Sequence, residues 1–95
     1  MTDYELMMVL SPDTDEQGIT GVKDRLSQFI TQRGGAVTNQ ANWGLRRLAY
    51  PIRKFREGNY VLTEFTFEPG PTKELEGTVK VWGEVLRYLL VKKDS

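Results

Sequence analysis

Neither cysteine nor histidine occurs among the 95 residues. Without cysteine there are no disulfides, thiolate metal sites or sulfur nucleophiles, which suits a reducing compartment. Without histidine the commonest general base and the commonest metal ligand are both missing. Net charge is lacking as well. The 13 Lys and Arg balance 13 Asp and Glu, so no global field steers the chain toward a polyanion. No apolar run approaches the ~20 residues of a membrane span, and no signal-like start is present. These absences exclude a histidine-dependent hydrolase, a zinc protein and a membrane-spanning protein. The length allows one domain over residues 1–95.

Chemical motifs are equally scarce. There is no phosphate-binding glycine loop, paired-histidine motif, calcium loop or nucleophile elbow. Ser11, Ser27 and Ser95 have no histidine to activate them. Asp13, Asp15 and Glu16 read as helix-start residues, Glu64 as a solvated strand residue and Lys80 as a surface charge. Nothing here points to catalysis, a cofactor, a metal or a small-molecule substrate.

The zero net charge conceals a segregation. Residues 1–33 carry six acids against three bases, and residues 57–95 carry seven acids against five bases. Residues 34–56 carry five bases (Arg46, Arg47, Arg53, Lys54 and Arg56) and no acid. A local basic stripe on a neutral body fits one anionic contact surface; the plainer reading is a solvated hairpin tip.

Hydrophobic spacing predicts six elements. Tyr4, Leu6, Met8 and Leu10 recur with period two, as in a strand. Ile19, Val22, Leu26, Phe29 and Ile30 have helical spacing, and Gly34-Gly35 stops that helix. A second strand runs from about Ala36 to Arg53. Val37, Ala41 and Trp43 share one parity in it, and Leu48, Tyr50 and Ile52 share the other. One β-bulge at Gly44–Arg47 accounts for the switch, and Pro51 places the strand at a sheet edge. Phe55–Asn59 reads as the hairpin turn and Tyr60–Phe67 as the third strand. Gly70-Pro71 opens a second helix, with Leu75, Val79 and Trp82 as its buried stripe and Gly83 as its end. Leu86–Val91 makes the last strand.

This β-α-β-β-α-β order is that of an α+β, ferredoxin-like fold. Right-handed crossovers put both helices on one face of a four-stranded antiparallel sheet of order 4-1-3-2. The helix-side core is then expected to hold Leu6, Met8, Leu10, Ile19, Leu26, Ile30, Val37, Leu48, Tyr50, Phe65, Phe67, Leu75, Val79, Tyr88 and Leu90. The open face receives Met7, Val9, Tyr60, Leu62, Leu89 and Val91. Six apolar side chains on a nominally solvated face mark a protein interface rather than scattered exposure. RNA-recognition modules share this topology and stack bases on aromatics of the central strands. Here only Tyr60 points outward, and Glu57 replaces a basic residue, so the face offers little for stacking.

One run carries a sharper signal. Trp43-Gly44-Leu45-Arg46-Arg47-Leu48-Ala49-Tyr50-Pro51-Ile52, followed by Lys54, closely resembles the hallmark of the bacterial-type small-subunit ribosomal protein six family. Tyr4-Glu5, Pro12, Gly34 and Gly58 with Tyr60 also fall where that family has them, so the resemblance spans nearly the whole chain. It implies a non-enzymatic, ferredoxin-like ribosomal protein, cytoplasmic in bacteria and also found in organelles. Family members bind the central domain of small-subunit ribosomal RNA together with small-subunit ribosomal protein eighteen, and have no cofactor. By position Arg46, Arg47, Lys54 and Arg87 match the family's basic residues, while Tyr60 and Leu62 match its outward apolar positions. Thr2, Asp3 and the Lys80–Glu84 segment depart from the family pattern. The chain stops at Ser95 without the tail through which many members embrace their partner, so a smaller interface is expected.

The sequence therefore assigns Arg46, Arg47, Arg53, Lys54, Arg87 and Lys92 to RNA phosphates. It assigns Met7, Val9, Tyr60, Leu62, Leu89 and Val91 to the protein partner. The competing reading is a regulatory ferredoxin-like module that binds a small ligand and self-associates through its sheet. Such a module has no need of five bases without an acid over residues 34–56.

Overall fold

The computed structural model describes residues 1–93; Asp94 and Ser95, and with them the expectation about the chain's tail, lie outside the described residues. Six elements follow in the expected order: β1 (Thr2–Leu10), α1 (Glu16–Gln32), β2 (Ala36–Ile52), β3 (Phe55–Phe67), α2 (Thr72–Val79) and β4 (Val85–Lys92). The strands form one antiparallel sheet of order β2-β3-β1-β4, which is the predicted 4-1-3-2. No helix among the described residues is long and apolar enough to cross a membrane.

Local chemistry sets the helix limits. The Asp15 carboxylate accepts the Gly18 N–H at 2.7 Å and so caps α1, satisfying a donor that the first turn leaves unpaired. Ile19, Val22, Leu26 and Ile30 form its buried stripe. At the other end Gly34 N–H donates to Thr31 O and Gly35 N–H to Ile30 O, closing the last turn. Helix α2 is shorter than expected. It ends at Val79 with Lys80 as its cap, and Trp82 packs against the core from the turn that follows.

The core lies between the helices and the even-numbered side of β1. Leu6, Met8, Leu10, Leu26, Ile30, Phe65, Phe67, Leu75 and Val79 are all essentially sealed. Tyr4, Val61 and Val85 belong to this core too, although the expected set omitted them. Tyr4 stacks on Phe65 at 5.7 Å between ring centroids, and Phe65 meets Phe67 edge to face at 5.9 Å. Such arrangements add to the area the rings bury.

Strand β2 departs furthest from expectation. Its register against β3 shifts at three places, between Val37 and Asn39, between Asn42 and Gly44, and between Arg47 and Ile52. The sequence signalled one bulge at Gly44–Arg47. Instead Trp43 is the inserted residue, with Gly44 in the left-handed region at φ 81°, a conformation that favours glycine. Thr38 is a further insertion, and its hydroxyl donates to Glu64 O at 3.1 Å. Each single-residue insertion exchanges the two faces for everything beyond it. The uncounted bulge at Thr38 therefore moves Leu48 and Tyr50 from the helix side, where they were expected, to the open side. Tyr50 is 57% exposed and Leu48 half-buried.

The hairpin turn is also displaced. Ile52 pairs with Phe55, so Arg53-Lys54 is the turn rather than Phe55–Asn59. Arg53 takes φ 57°, the left-handed conformation that two-residue hairpin turns require. Gly58, read as a turn residue, instead lies within β3. A side chain there would collide with Val9 Cγ1 and come within 3.7 Å of Leu48 Cδ2.

Candidate interaction surface

Strand register places Glu5, Met7 and Val9 of β1 beside Tyr60, Leu62 and Glu64 of β3 and beside Arg87, Leu89 and Val91 of β4. All point away from the helices. Glu5, Met7, Leu62, Leu89 and Val91, together with Trp43 from β2, line a shallow depression of about 240 Å³. Leu89 is 61% exposed and Val91 39%, while Met7, Tyr60 and Leu62 are half-buried. Among the described residues no element covers this apolar area.

Val9 is the exception among the six. It is 5% exposed, and the β2–β3 hairpin is what covers it. That hairpin extends beyond Leu10 and turns across the open face, where the Tyr50 hydroxyl accepts a hydrogen bond from Arg87 Nη1 at 2.6 Å. The Arg87 guanidinium also lies 5.7 Å from the Tyr50 ring centroid. Val9 therefore supports the surface from below and is not available to a partner. Trp43, 47% exposed, is available; parity grouped it with the helix-side Val37, and the uncounted bulge at Thr38 lies between the two.

The six bases assigned to RNA do not form one patch. Arg46 lies on the open face with its guanidinium 5.7 Å from the Trp43 ring. Arg46 and Arg47 pair in regular register with Gly58 and Glu57, so they point to opposite sides and do not share one surface through a bulge. Arg53 and Lys54 form the hairpin turn. Arg87 is engaged by Tyr50. Lys92 pairs with Tyr4, at the end of the sheet away from the hairpin and on the helix-side parity. Arg56, which the assignment passed over, lines a hollow with Arg47, Leu48, Ala49, Tyr50 and Pro51.

Ion pairing separates structural bases from the rest. Among the described residues the ion pairs are Arg25–Glu84 at 2.7 Å, Arg33–Glu74 at 2.6 Å and Lys93–Glu64 at 2.8 Å. None involves a base of residues 34–56. Arg25 also lies over Trp82, fastening α1 to the turn after α2, while Arg33 lies over Phe29 of its own helix. The hydrogen bond from Arg25 holds the Glu84 carboxyl below its ordinary range. Hydrogen bonds from Lys93 and Asn39 do the same for Glu64, helped by the Lys93 charge. The open face therefore has an ion-paired rim at the Glu64 end, an apolar centre and unpaired bases at the hairpin end.

Comparison with known proteins places this arrangement among relatives. The Ribosomal protein S6 family profile matches residues 3–92. The small ribosomal subunit protein bS6 of Caldanaerobacter subterraneus subsp. tengcongensis is 46% identical over 95 residues, covering all of both chains. That of Moorella thermoacetica is 42% identical, over all of this chain and 97% of its own length. Among solved structures, 30S ribosomal protein S6 of Thermotoga maritima superposes with a TM-score of 0.89 at 28% identity, over 97% of this chain and 87% of that one. An Arabidopsis thaliana protein with a TM-score of 0.59 and 12% identity, covering 100% and 95%, is alike in fold alone.

Proposed function

Because this chain belongs to the ribosomal protein S6 family and is a structural constituent of the small ribosomal subunit, not an enzyme, we propose that it binds the central domain of small-subunit ribosomal RNA as half of a heterodimer with small-subunit ribosomal protein eighteen. Its relatives are bacterial small-subunit proteins, so it works on the ribosome in the cytoplasm. The observation that carries the proposal is the division of the open face. An uncovered apolar depression around Leu62 adjoins a hairpin whose bases have no acidic partners among the described residues.

In this reading Met7, Tyr60, Leu62, Leu89 and Val91, with Trp43, receive the protein partner. Apolar area left uncovered by the chain's own helices is desolvated only on association. Arg46, Arg47, Arg53 and Lys54 face RNA phosphates. A handful of phosphate contacts on a body of zero net charge gives weak, salt-sensitive binding. Joint binding compensates, since a partner holding both protein and RNA raises the effective concentration of the second contact. Arg87 and Lys92 stand apart from the hairpin bases and contribute less directly.

Isothermal titration of the purified protein with the partner, and then of the pair with a central-domain RNA fragment, tests this. The expected result is a one-to-one protein pair that binds RNA more tightly than either protein alone. A homodimer that ignores both ligands would overturn the proposal in favour of a self-associating ligand sensor.

A further inference from the structure

One carboxylate lies in the wall of the apolar depression. Glu5 projects from β1 on the open face, between Asp3 and Met7, and its cross-strand neighbours are Glu64 on β3 and Val91 on β4. The depression of about 240 Å³ that it lines is otherwise formed by Met7, Trp43, Leu62, Leu89 and Val91. Glu5 is half-buried, yet among the described residues it is in no ion pair. Its direct neighbour on β3 is a second carboxylate, and like charges opposite one another across two strands repel.

The cations of this face are engaged or distant. Lys93 pairs with Glu64 at 2.8 Å, and the charges of Glu5 and Asp3 act on the same ammonium. Three carboxylates therefore share one cation at this end of the sheet. Arg46 stands opposite Gly58, about 20 Å along β3 from Glu64, with its guanidinium beside the Trp43 ring. Arg87 donates its hydrogen bond to Tyr50.

A carboxylate loses hydration when another surface closes over it, and a neutral or acidic surface leaves that loss uncompensated. An apolar floor with one carboxylate in its wall fits a side chain that has an aliphatic stem and a cationic head. Arginine and lysine bury their stems in this way, and a cation is also attracted to an indole ring. A protein partner that itself contacts RNA phosphates carries such residues.

We infer that this depression receives one cationic side chain of the protein partner, an arginine or a lysine, with its stem against Met7, Leu62 and Trp43 and its charged head on the Glu5 carboxylate. The inference rests on the heterodimer reading above and adds the chemistry of one contact.

Titration calorimetry of the chain and its variants with the partner tests this, after circular dichroism has shown each variant folded. Glu5→Gln keeps the shape and removes the charge. It should weaken pairing by at least about 30-fold, because the partner's cation is then buried without its counter-charge. Asp3→Asn, at an exposed position outside the depression, should stay within about 2-fold of wild type. The urea midpoint of free Glu5→Gln should equal or exceed that of wild type, since the repulsion with Glu64 is gone. Each lysine and arginine of the partner is then changed to alanine and titrated against wild type and against Glu5→Gln. One of them should lose affinity for wild type and lose nothing further once Glu5 is neutral.

Wild-type affinity in Glu5→Gln, with Leu62→Asp still disrupting the pair, overturns the cation seat and leaves the open face as the interface. An equal loss in Asp3→Asn overturns the seat in favour of a diffuse negative field. A lower urea midpoint in Glu5→Gln means that the carboxylate already has its counter-charge in the free chain, and overturns it too. Additive losses at every partner base do the same. Self-association of the wild type that Glu5→Gln weakens gives the depression to a second copy of this chain instead. Failure of the wild-type pair to form overturns both this inference and the reading beneath it.

Discussion

On the side of the sheet covered by α1 and α2, Phe65 and Leu6 are 1% exposed and Met8 and Phe67 are sealed. On the other side, Leu89 and Val91 of β4 are 61% and 39% exposed, and Trp43 is 47% exposed. Strands β1 and β3 supply the first set and β4 and β2 the second, on opposite faces of one sheet. The covered side has already gained what apolar burial yields, and its interactions appear as stability of the free chain. The open side keeps its apolar area in reserve, so substitutions there should be nearly silent in the free protein and costly in the complex.

The sharpest way to break this contrast is to exchange large for small on each side. Phe65→Ala should cost about 3–5 kcal/mol of unfolding free energy, because it opens a cavity and removes two ring contacts. Leu89→Ala on the open side should stay within about 0.5 kcal/mol of wild type. Urea unfolding monitored by circular dichroism measures both. Similar losses at the two positions would mean that the open face is load-sharing in the free chain and not a reserved interface.

Next in size is Leu62→Asp. The side chain is half-buried and points away from the helices, so the fold should persist. A carboxylate placed in the partner interface without a counter-charge costs several kcal/mol. Titration calorimetry should show heterodimer affinity reduced by at least about 100-fold, which corresponds to about 2.7 kcal/mol. Wild-type affinity in a folded Leu62→Asp variant would remove this face from the interface.

How far each side could be read from residues follows the same division. The covered side is legible because β1, β3 and α1 keep unbroken periods, and parity alone places Leu6, Met8, Phe65 and Phe67. Strand β2 is not legible by parity. Thr38 is an ordinary β-former that carries no bulge signal, although its hydroxyl reaches Glu64 O in the structure, and that one unseen insertion exchanges the faces of Leu48 and Tyr50. The turn was misplaced for a related reason. Arg53-Lys54 carries no glycine or asparagine, whereas Gly58-Asn59 does, so turn chemistry pointed to the wrong pair. Gly58 is glycine because Val9 lies against it, a tertiary demand that no local rule reports. The basic segment was visible as composition. Separating its members needed the ion pairs and the Tyr50–Arg87 contact.

The covered side retains some slack, and a third substitution measures it. Gly21 lies inside α1, where glycine costs about 1 kcal/mol relative to alanine, and a Cβ there would meet nothing within 4 Å. Gly21→Ala should therefore raise stability by about 0.5–1 kcal/mol, chiefly by restricting the unfolded chain. It should leave heterodimer and RNA affinity unchanged, since α1 is not on the open face. Increased stability accompanied by weaker binding would show that the two sides are coupled.

The smallest effect belongs to the rim of the open face. Hydrogen bonds from Lys93 and Asn39 lower the Glu64 pKa, and the Lys93 charge lowers it further. A carboxylate with a lowered native pKa contributes stability that is complete above its unfolded-state value. That contribution is lost as pH falls through the lowered native value, because the unfolded chain takes up the proton first. The raised pKa of Lys93, due first to its hydrogen bond with Glu64, has the opposite sense: its contribution is complete below the ordinary lysine value and is lost as pH rises through the raised one. The pair is solvent-accessible on both sides, so added salt should weaken it. On the covered side Arg25 lowers the Glu84 pKa in the same way, which supplies an internal comparison. Glu64→Gln should flatten part of the acid-side dependence of unfolding free energy on pH, and Glu84→Gln should flatten another part. Raising the salt concentration should shrink the Glu64 share. Urea unfolding at a series of acidic pH values, at low and high salt, reads both contributions. If Glu64→Gln retains the wild-type dependence, the Lys93–Glu64 contact does not hold in solution, and the open face has no fixed ionic rim at that end.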